Sequence, residues 1–265
     1  MASITFQILG CGSSGGVPRL GGVWGACDPN NPKNDRQRCS LLITRQTENG
    51  KTSVLIDTTP DMRRQLLNAK VDNLDAVLYT HDHADHVHGL DDLRMLVLRN
   101  RKRLQVWADK QVQKSLNERF GYAFIQPQGS PYPPILDMND LIGDLSITGD
   151  GGTIDIVPFY VKHGGINALG FRINNFAYLP DVSEIPEKSW RVLDNLDCWV
   201  VDALRYTPHP SHSHLSQTLE WIDRANPKRA IITNMHIDLD YETVCNETPE
   251  RVTAAYDGMK IQYDI

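Results

Sequence analysis

Within six consecutive residues, His81-Asp82-His83-Ala84-Asp85-His86, the chain carries three imidazoles and two carboxylates. Divalent transition metals take their ligands from these groups, and a loop leaving a buried strand can aim His81, His83, Asp85 and His86 at one small volume. Alternate residues of an extended segment face the same way, so His81 and His83 share a side. Asp85 and His86 fall where the chain turns helical and can face a second ion a few Å from the first. The bland alternative, a solvated His-rich helix start, gives so dense a set of donors no use.

The flanking elements must hold that cluster. Apolar and β-branched runs at 4–9, 40–44 and 53–56, separated by turn-forming residues, predict an antiparallel meander. A helix is expected over 60–67 and a buried strand over 76–80, which ends at the cluster. Leu90, Leu93, Leu96 and Val97 share one face of a helix over 89–100. A strand over 104–107, a helix over 110–120 and a Pro-rich loop over 126–134 follow. The second half reads as strands at 145–148, 153–161, 168–173, 177–179, 198–201 and 230–233, helices at 215–225 and 249–256, and a last strand near 261. Two β-then-βα halves predict an α/β chain that buries two sheets face to face as a four-layer α/β/β/α sandwich, with 1–265 as a single domain.

Of the 265 residues, 40% are hydrophobic and 23% charged, an ordinary globular balance with enough apolar material for a sizeable core. A net charge of −6 argues against affinity built on neutralising a phosphate backbone. The opening segment lacks a basic leader and no run of 18 apolar residues occurs, so a cytoplasmic protein away from membranes is expected. Five scattered cysteines without a CxxC pair suggest neither a disulfide framework nor a zinc finger.

The HxHxDH cluster resembles the signature of the metallo-β-lactamase superfamily letter for letter. Later polar groups follow in that superfamily's order, each at a predicted strand end: His163 after 156–161, Asp181 after Phe176-Ala177-Tyr178-Leu179-Pro180, and His236 after 230–235. The resemblance implies the metallo-β-lactamase fold and two divalent ions, zinc or manganese. It assigns His81, His83 and His163 to one ion, Asp85, His86 and His236 to the other, and Asp181 to both. Two such ions can share a hydroxide and stabilise the entering and leaving oxygens at phosphorus, which makes a phosphodiester the expected substrate.

Within the superfamily, Gly10-Cys11-Gly12-Ser13-Ser14-Gly15-Gly16-Val17-Pro18 and His214-Leu215-Ser216 resemble the phosphoribosyl cyclic phosphate phosphodiesterase branch and, more distantly, the tRNA 3′-end-processing nucleases. That resemblance makes His214 the general acid facing the leaving oxygen, with His212 an alternative donor, and gives Asp85 and Asp181 catalytic as well as metal-holding roles. The nucleases carry a long basic arm between the residues corresponding to His163 and Asp181. Here the two are 18 positions apart, so a small or nucleotide-like diester is expected rather than a long nucleic acid. A thioester or lactone hydrolase on the same fold is the alternative, and a homodimer is compatible. Trp24-Gly25-Ala26-Cys27-Asp28-Pro29-Asn30 keeps a single cysteine where the first of those branches has a zinc-binding cluster, so no third, structural metal is expected.

The run 10–15 also fits GxGxxG, but Val17-Pro18 and Gly21-Gly22 block the helix that dinucleotide binding needs. Its backbone N–H groups either hold a substrate phosphate or merely make a tight crossover. Asp57, at the end of 54–56, is expected to orient a ligand imidazole. His88 and His209 read as solvent- or loop-facing, and nothing ranks Asp202 or Arg205 above other surface polar groups.

Overall fold

A computed structural model describes residues 2–265. In chain order the elements are β1 (Ser3–Gly10), β2 (Ser40–Thr47), β3 (Gly50–Ile56), α1 (Met62–Asn68), β4 (Ala76–Leu78), α2 (Ala84–Val87), α3 (Arg94–Asn100), β5 (Leu104–Ala108), α4 (Lys110–Phe124), β6 (Leu136–Asp140) and β7 (Leu145–Gly149). There follow β8 (Gly152–His163), β9 (Ile166–Ile173), β10 (Phe176–Leu179), α5 (Glu187–Trp190), β11 (Cys198–Asp202), α6 (Leu215–Ala225), β12 (Arg229–Thr233), α7 (Tyr241–Glu247), β13 (Val252–Ala254) and β14 (Lys260–Asp264). They form two compact units. Of the described residues, one comprises 2–9, 40–154 and 260–265, the other 10–39 and 155–259.

The first unit is built on a mixed sheet of order β14-β1-β2-β3-β4-β5-β6. β2 and β3 pair antiparallel from Leu41 opposite Ile56 to Thr47 opposite Gly50, and β3, β4, β5 and β6 run parallel. Parallel strands buried on both faces read as unbroken apolar runs, as Ala76-Val77-Leu78 does. The four helices of this unit supply Met62, Leu66, Val87, Val97, Val112 and Leu116 to a single apolar cluster with Leu55, Val77 and Val106 of the sheet. The Asp109 carboxylate accepts from Val112 N–H at 2.9 Å and caps α4, a contact typically worth about 1 kcal/mol.

The second unit carries the run β13-β12-β11-β10-β9-β8 of the other sheet. Its β8, β9 and β10 are antiparallel, whereas β10, β11, β12 and β13 are parallel. Trp199, Tyr178, Phe171 and Phe176 are fully buried in it. Leu215, Thr218 and Ile222 turn one face of α6 inward, and Asn226 ends the helix in the left-handed conformation at φ 47°.

Three expectations need correction. The helix expected over 249–256 is strand β13, in register with Ala230 to Ile232 of β12, because Val252-Thr253 is β-branched and fits a pleated surface. The helix lies upstream, at α7, where the Asp240 carboxylate caps Thr243 N–H. The helix expected over 89–100 opens as a 3-10 turn at Leu90–Leu93 before α3. Strand β6 was not foreseen, since Leu136-Asp137-Met138-Asn139-Asp140 is a short edge strand in which three of five residues are Asp or Asn, types depleted in strands.

Candidate metal centre

In the first unit the HxHxDH residues sit at the carboxyl end of β4. His83 is the extended N-cap of α2, so His81 and His83 belong to the loop while Asp85 and His86 lie in its first turn. The rings of His81 and His83 are 4.5 Å apart and those of His81 and His86 4.2 Å. Asp57 follows β3, the neighbouring parallel strand, in a left-handed conformation at φ 64° that turns its side chain under the loop. Its carboxylate accepts from Thr80 N–H at 2.8 Å, from Thr80 Oγ1 at 2.7 Å and from His86 Nδ1 at 2.7 Å. Burial pushes the Asp57 carboxyl up, opposed by His86.

This donor set fits a divalent ion. His86 gives its Nδ1–H to Asp57, and Thr80 Oγ1 stands 2.9 Å from His81 Nδ1, which presents Nε2 of both rings as the ligating nitrogen. His86 Nε2 and Asp85 Oδ2 are 3.6 Å apart, close to the edge of about 3.3 Å between two ligands on one tetrahedral ion. Arg119 of α4 donates to the Asp82 carbonyl at 2.6 Å and steadies the loop.

In the second unit the polar groups again stand at strand ends, His163 on an antiparallel strand and the others on parallel ones. His163 closes β8, Asp181 follows β10, Asp202 ends β11, and Asn234 follows β12 at φ 60°. His163, Asp181 and His212 each place a ligand atom within 4.8 Å of the others. His163 donates Nδ1–H to the Ser211 carbonyl at 2.6 Å, repeating the arrangement that makes Nε2 the nitrogen suited to coordination. Asp181 accepts from Asn234 Nδ2 at 3.3 Å.

His236 stands outside this group. Its Nδ1 faces Asp238 Oδ2 at 3.1 Å and its Nε2 is engaged by the Arg19 guanidinium. Burial holds its pKa below the usual imidazole value, with Asp238 opposing. His214 is the N-cap residue of α6 without using its side chain as the cap. It lines a cleft of about 680 Å³ with Lys162, Ser183, Glu184, His209, His212 and Gln217.

Asp202 was passed over in the sequence and proves central. Fully buried, it accepts from Val182 N–H at 3.0 Å, His212 Nδ1 at 3.0 Å and Asn234 Nδ2 at 3.0 Å. Burial raises its carboxyl to about 6, with His212 opposing. The available signal was an acid closing the apolar run Cys198-Trp199-Val200-Val201. In the glycine loop four backbone donors are committed within the fold. Cys11 N–H goes to Asp257, Gly12 N–H to Gln37, Ser13 N–H to Met235 and Gly16 N–H to Ser13. His88 stacks edge-on to Phe120, with ring centres 5.8 Å apart.

The sequence profile of the Beta-lactamase superfamily domain matches residues 52–237, which is most of the chain. The chain belongs to the beta-lactamase superfamily. Its two mixed sheets and their helices are those of the metallo-β-lactamase fold. The crystal structure of a diphosphatase of the PhnP family matches at 32% identity with a TM-score of 0.87, covering 99% of this chain and 98% of that one. An octanoyltransferase of Porphyromonas gingivalis is 34% identical over 261 residues, 97% of this chain and 51% of that protein. The chain therefore spans about half the length of this relative. The short form of human tRNase Z shares the fold at 15% identity, with a TM-score of 0.67 and coverage of 98% and 100%. Among the described residues no helix is long and apolar enough to cross a membrane.

Proposed function

We propose that the chain is a two-metal phosphodiesterase acting on a small or cyclic phosphodiester of nucleotide or phosphoribosyl type. The cleft of about 680 Å³ carries this reading: Lys162, His209, His212 and His214 line it together with Glu184, offering one ammonium and three imidazoles, and its volume suits a nucleotide-sized anion. The likeness to a PhnP-family diphosphatase over nearly the whole chain supports phosphorus as the reacting centre. The interval from His163 to Asp181 is taken up by β9, β10 and their turns, a segment with no helical or extended arm that could clamp a folded RNA.

The residues proposed to hold the two ions are His81, His83, Asp85, His86, His163, Asp181 and His236, with zinc or manganese suited to such donors. Bound there, such ions would supply positive charge at the phosphoryl group and water of lowered pKa. Asp57 and the Ser211 carbonyl orient the imidazoles of His86 and His163. Asp202, accepting from His212, fixes that ring at the edge of the cleft, and His214, which lines the same cleft, is the proposed donor of a proton to the departing alkoxide.

The test is a panel of cyclic and linear phosphodiesters assayed on protein loaded separately with zinc and with manganese. The relative named octanoyltransferase favours a second reading, hydrolysis of an acyl thioester, so an octanoyl thioester belongs in the panel. Turnover of the thioester alone would replace the first reading. His214→Ala is expected to keep full metal content and lose 10²- to 10⁴-fold in kcat with little change in KM. An unchanged kcat would remove His214 from proton transfer.

A further inference from the structure

The cleft of the second unit displays polar side chains that the fold itself does not use. His214 and Gln217 stand three positions apart at the start of α6, so they share one face of its first turn, and both are half-buried where they line the cleft. Among the described residues neither side chain has a hydrogen-bond partner. A half-buried amide has given up part of its water, and Gln217 keeps two donors and an acceptor to offer to whatever enters.

A second stretch of the lining is held by backbone. Lys162, the residue before His163, and Glu184, three residues past Asp181, pair across an isolated antiparallel bridge. Lys162 N–H donates to the Glu184 carbonyl at 2.9 Å, and the Lys162 carbonyl accepts from Ser183 N–H at 2.7 Å. Lys162 Nζ is taken by Asn167 Oδ1 at 2.9 Å, whereas the exposed Glu184 carboxylate has no partner among the described residues.

These free groups narrow what can bind. A carboxylate only accepts, so Glu184 repels a second phosphate and suits a hydroxyl or an ammonium. An ammonium would share the cleft with the Lys162 charge and would leave the Gln217 NH2 unanswered. Neighbouring hydroxyls satisfy both residues, because each can donate to Glu184 and exchange hydrogen bonds with the Gln217 amide. Ile166, half-buried in the same lining, gives a sugar ring an apolar edge to rest on. Since Gln217 shares its turn with His214, the group it touches is the alcohol whose oxygen His214 protonates.

We propose that Glu184 and Gln217 make this cleft selective for a diester whose leaving alcohol is a sugar with free neighbouring hydroxyls. This rests on the phosphodiesterase reading for the reacting centre, and its test does not need turnover. Calorimetry measures the binding of ribose 5-phosphate, and of propyl phosphate, which lacks the hydroxyls, to zinc-loaded wild type, Glu184→Ala, Glu184→Gln and Gln217→Ala. Wild type is expected to prefer the sugar phosphate by about tenfold or more, and each alanine variant to lose roughly 5- to 20-fold on it while holding propyl phosphate as wild type does. Glu184→Gln, which keeps an acceptor oxygen and loses the charge, falls between. No preference in wild type would overturn the proposal. So would an equal loss of both esters in the variants, which would put the two residues on the phosphate. Turnover of diesters without a sugar preference overturns it and leaves the phosphodiesterase reading standing. A preference that the variants lose, with no diester hydrolysed, supports the selectivity and removes that reading. Melting curves separate these results from misfolding, and Glu184→Gln serves if the alanine variant is unstable.

Discussion

At the scale of single residues, the second partner of each imidazole decides more than the imidazole itself. Asp57 collects three hydrogen bonds in a site with no solvent, two from Thr80 and one from His86. Asp57→Ala strips all three donors of their acceptor, each at a cost of about 1–3 kcal/mol, and lets the His86 ring rotate. A fall of 10- to 100-fold in metal affinity is expected, together with a clear loss of Tm. Asp57→Asn tolerates the positive φ and keeps an oxygen for Thr80, but presents an NH2 to His86 Nδ1. It should retain most of the stability and still lose metal. Chelator competition and melting curves on both variants check this, and metal affinity equal to wild type in Asp57→Asn would show that the orientation of His86 is set elsewhere. The HxHxDH ligand candidates, and Asp57 behind them, were legible because four ligand candidates in six positions have few other uses. Asp202 and the place of His212 beside His163 and Asp181 were not, because those contacts join residues 10 to 49 positions apart on different strands. The engagement of His236 by Arg19 joins residues 217 positions apart and leaves no trace in local pattern.

At the scale of elements, the loops after parallel strands do the positioning, and one glycine limits how they pack. Gly89 ends the turn that follows α2, and its N–H reaches the Thr58 carbonyl at 2.9 Å. A Cβ at Gly89 would lie 2.0 Å from the Thr59 carbonyl oxygen, so backbone has to separate from backbone. Gly89→Ala is expected to cost about 2–3 kcal/mol by overpacking. Because Thr58 N–H is bound to the His86 carbonyl in the same junction, metal affinity should fall with stability. Urea unfolding of apoprotein and zinc titration of the same variant check both arms, and a variant as stable as wild type would mean that the junction yields cheaply. Sequence periodicity located most of the strands and α6, whose apolar positions repeat every three to four residues. It misplaced α7 and β13 because the acid Asp240 that caps α7 lies outside the 249–256 window, which opens on Pro249, a residue suited to a helix's first turn.

At the scale of the whole molecule, each unit repeats one plan: antiparallel strands leading into four parallel ones, with polar side chains at the carboxyl ends of the latter. That plan was visible as two β-then-βα halves. The buried acid Asp257 that closes the second unit was not, since its partners are Cys11, through both N–H and Sγ, and Gln37 N–H, more than 200 positions away. Burial raises the Asp257 carboxyl to about 7, with those hydrogen bonds opposing. A carboxyl whose folded pKa lies above its unfolded value near 3.8 binds more protons when folded. Its contribution to stability is therefore greatest at low pH and declines as pH rises from about 4 to about 7, by at most about 1.4 kcal/mol per pH unit, then levels off. Asp202, also raised, tilts the profile the same way, whereas Asp140 and Asp197, held down by Lys110 and Lys228, tilt it the other way. The contrast between wild type and Asp257→Asn isolates the one group. The amide cannot ionise, so the variant should lose relative to wild type at pH 5, where it has one acceptor fewer for Cys11 and Gln37, and recover as pH approaches 8. Urea unfolding of the apoproteins in chelator at pH 5, 6, 7 and 8 measures the difference. Parallel profiles across that range would mean that Asp257 titrates as an ordinary exposed carboxyl and that the pinning of Cys11 to Gln37 does not depend on its proton.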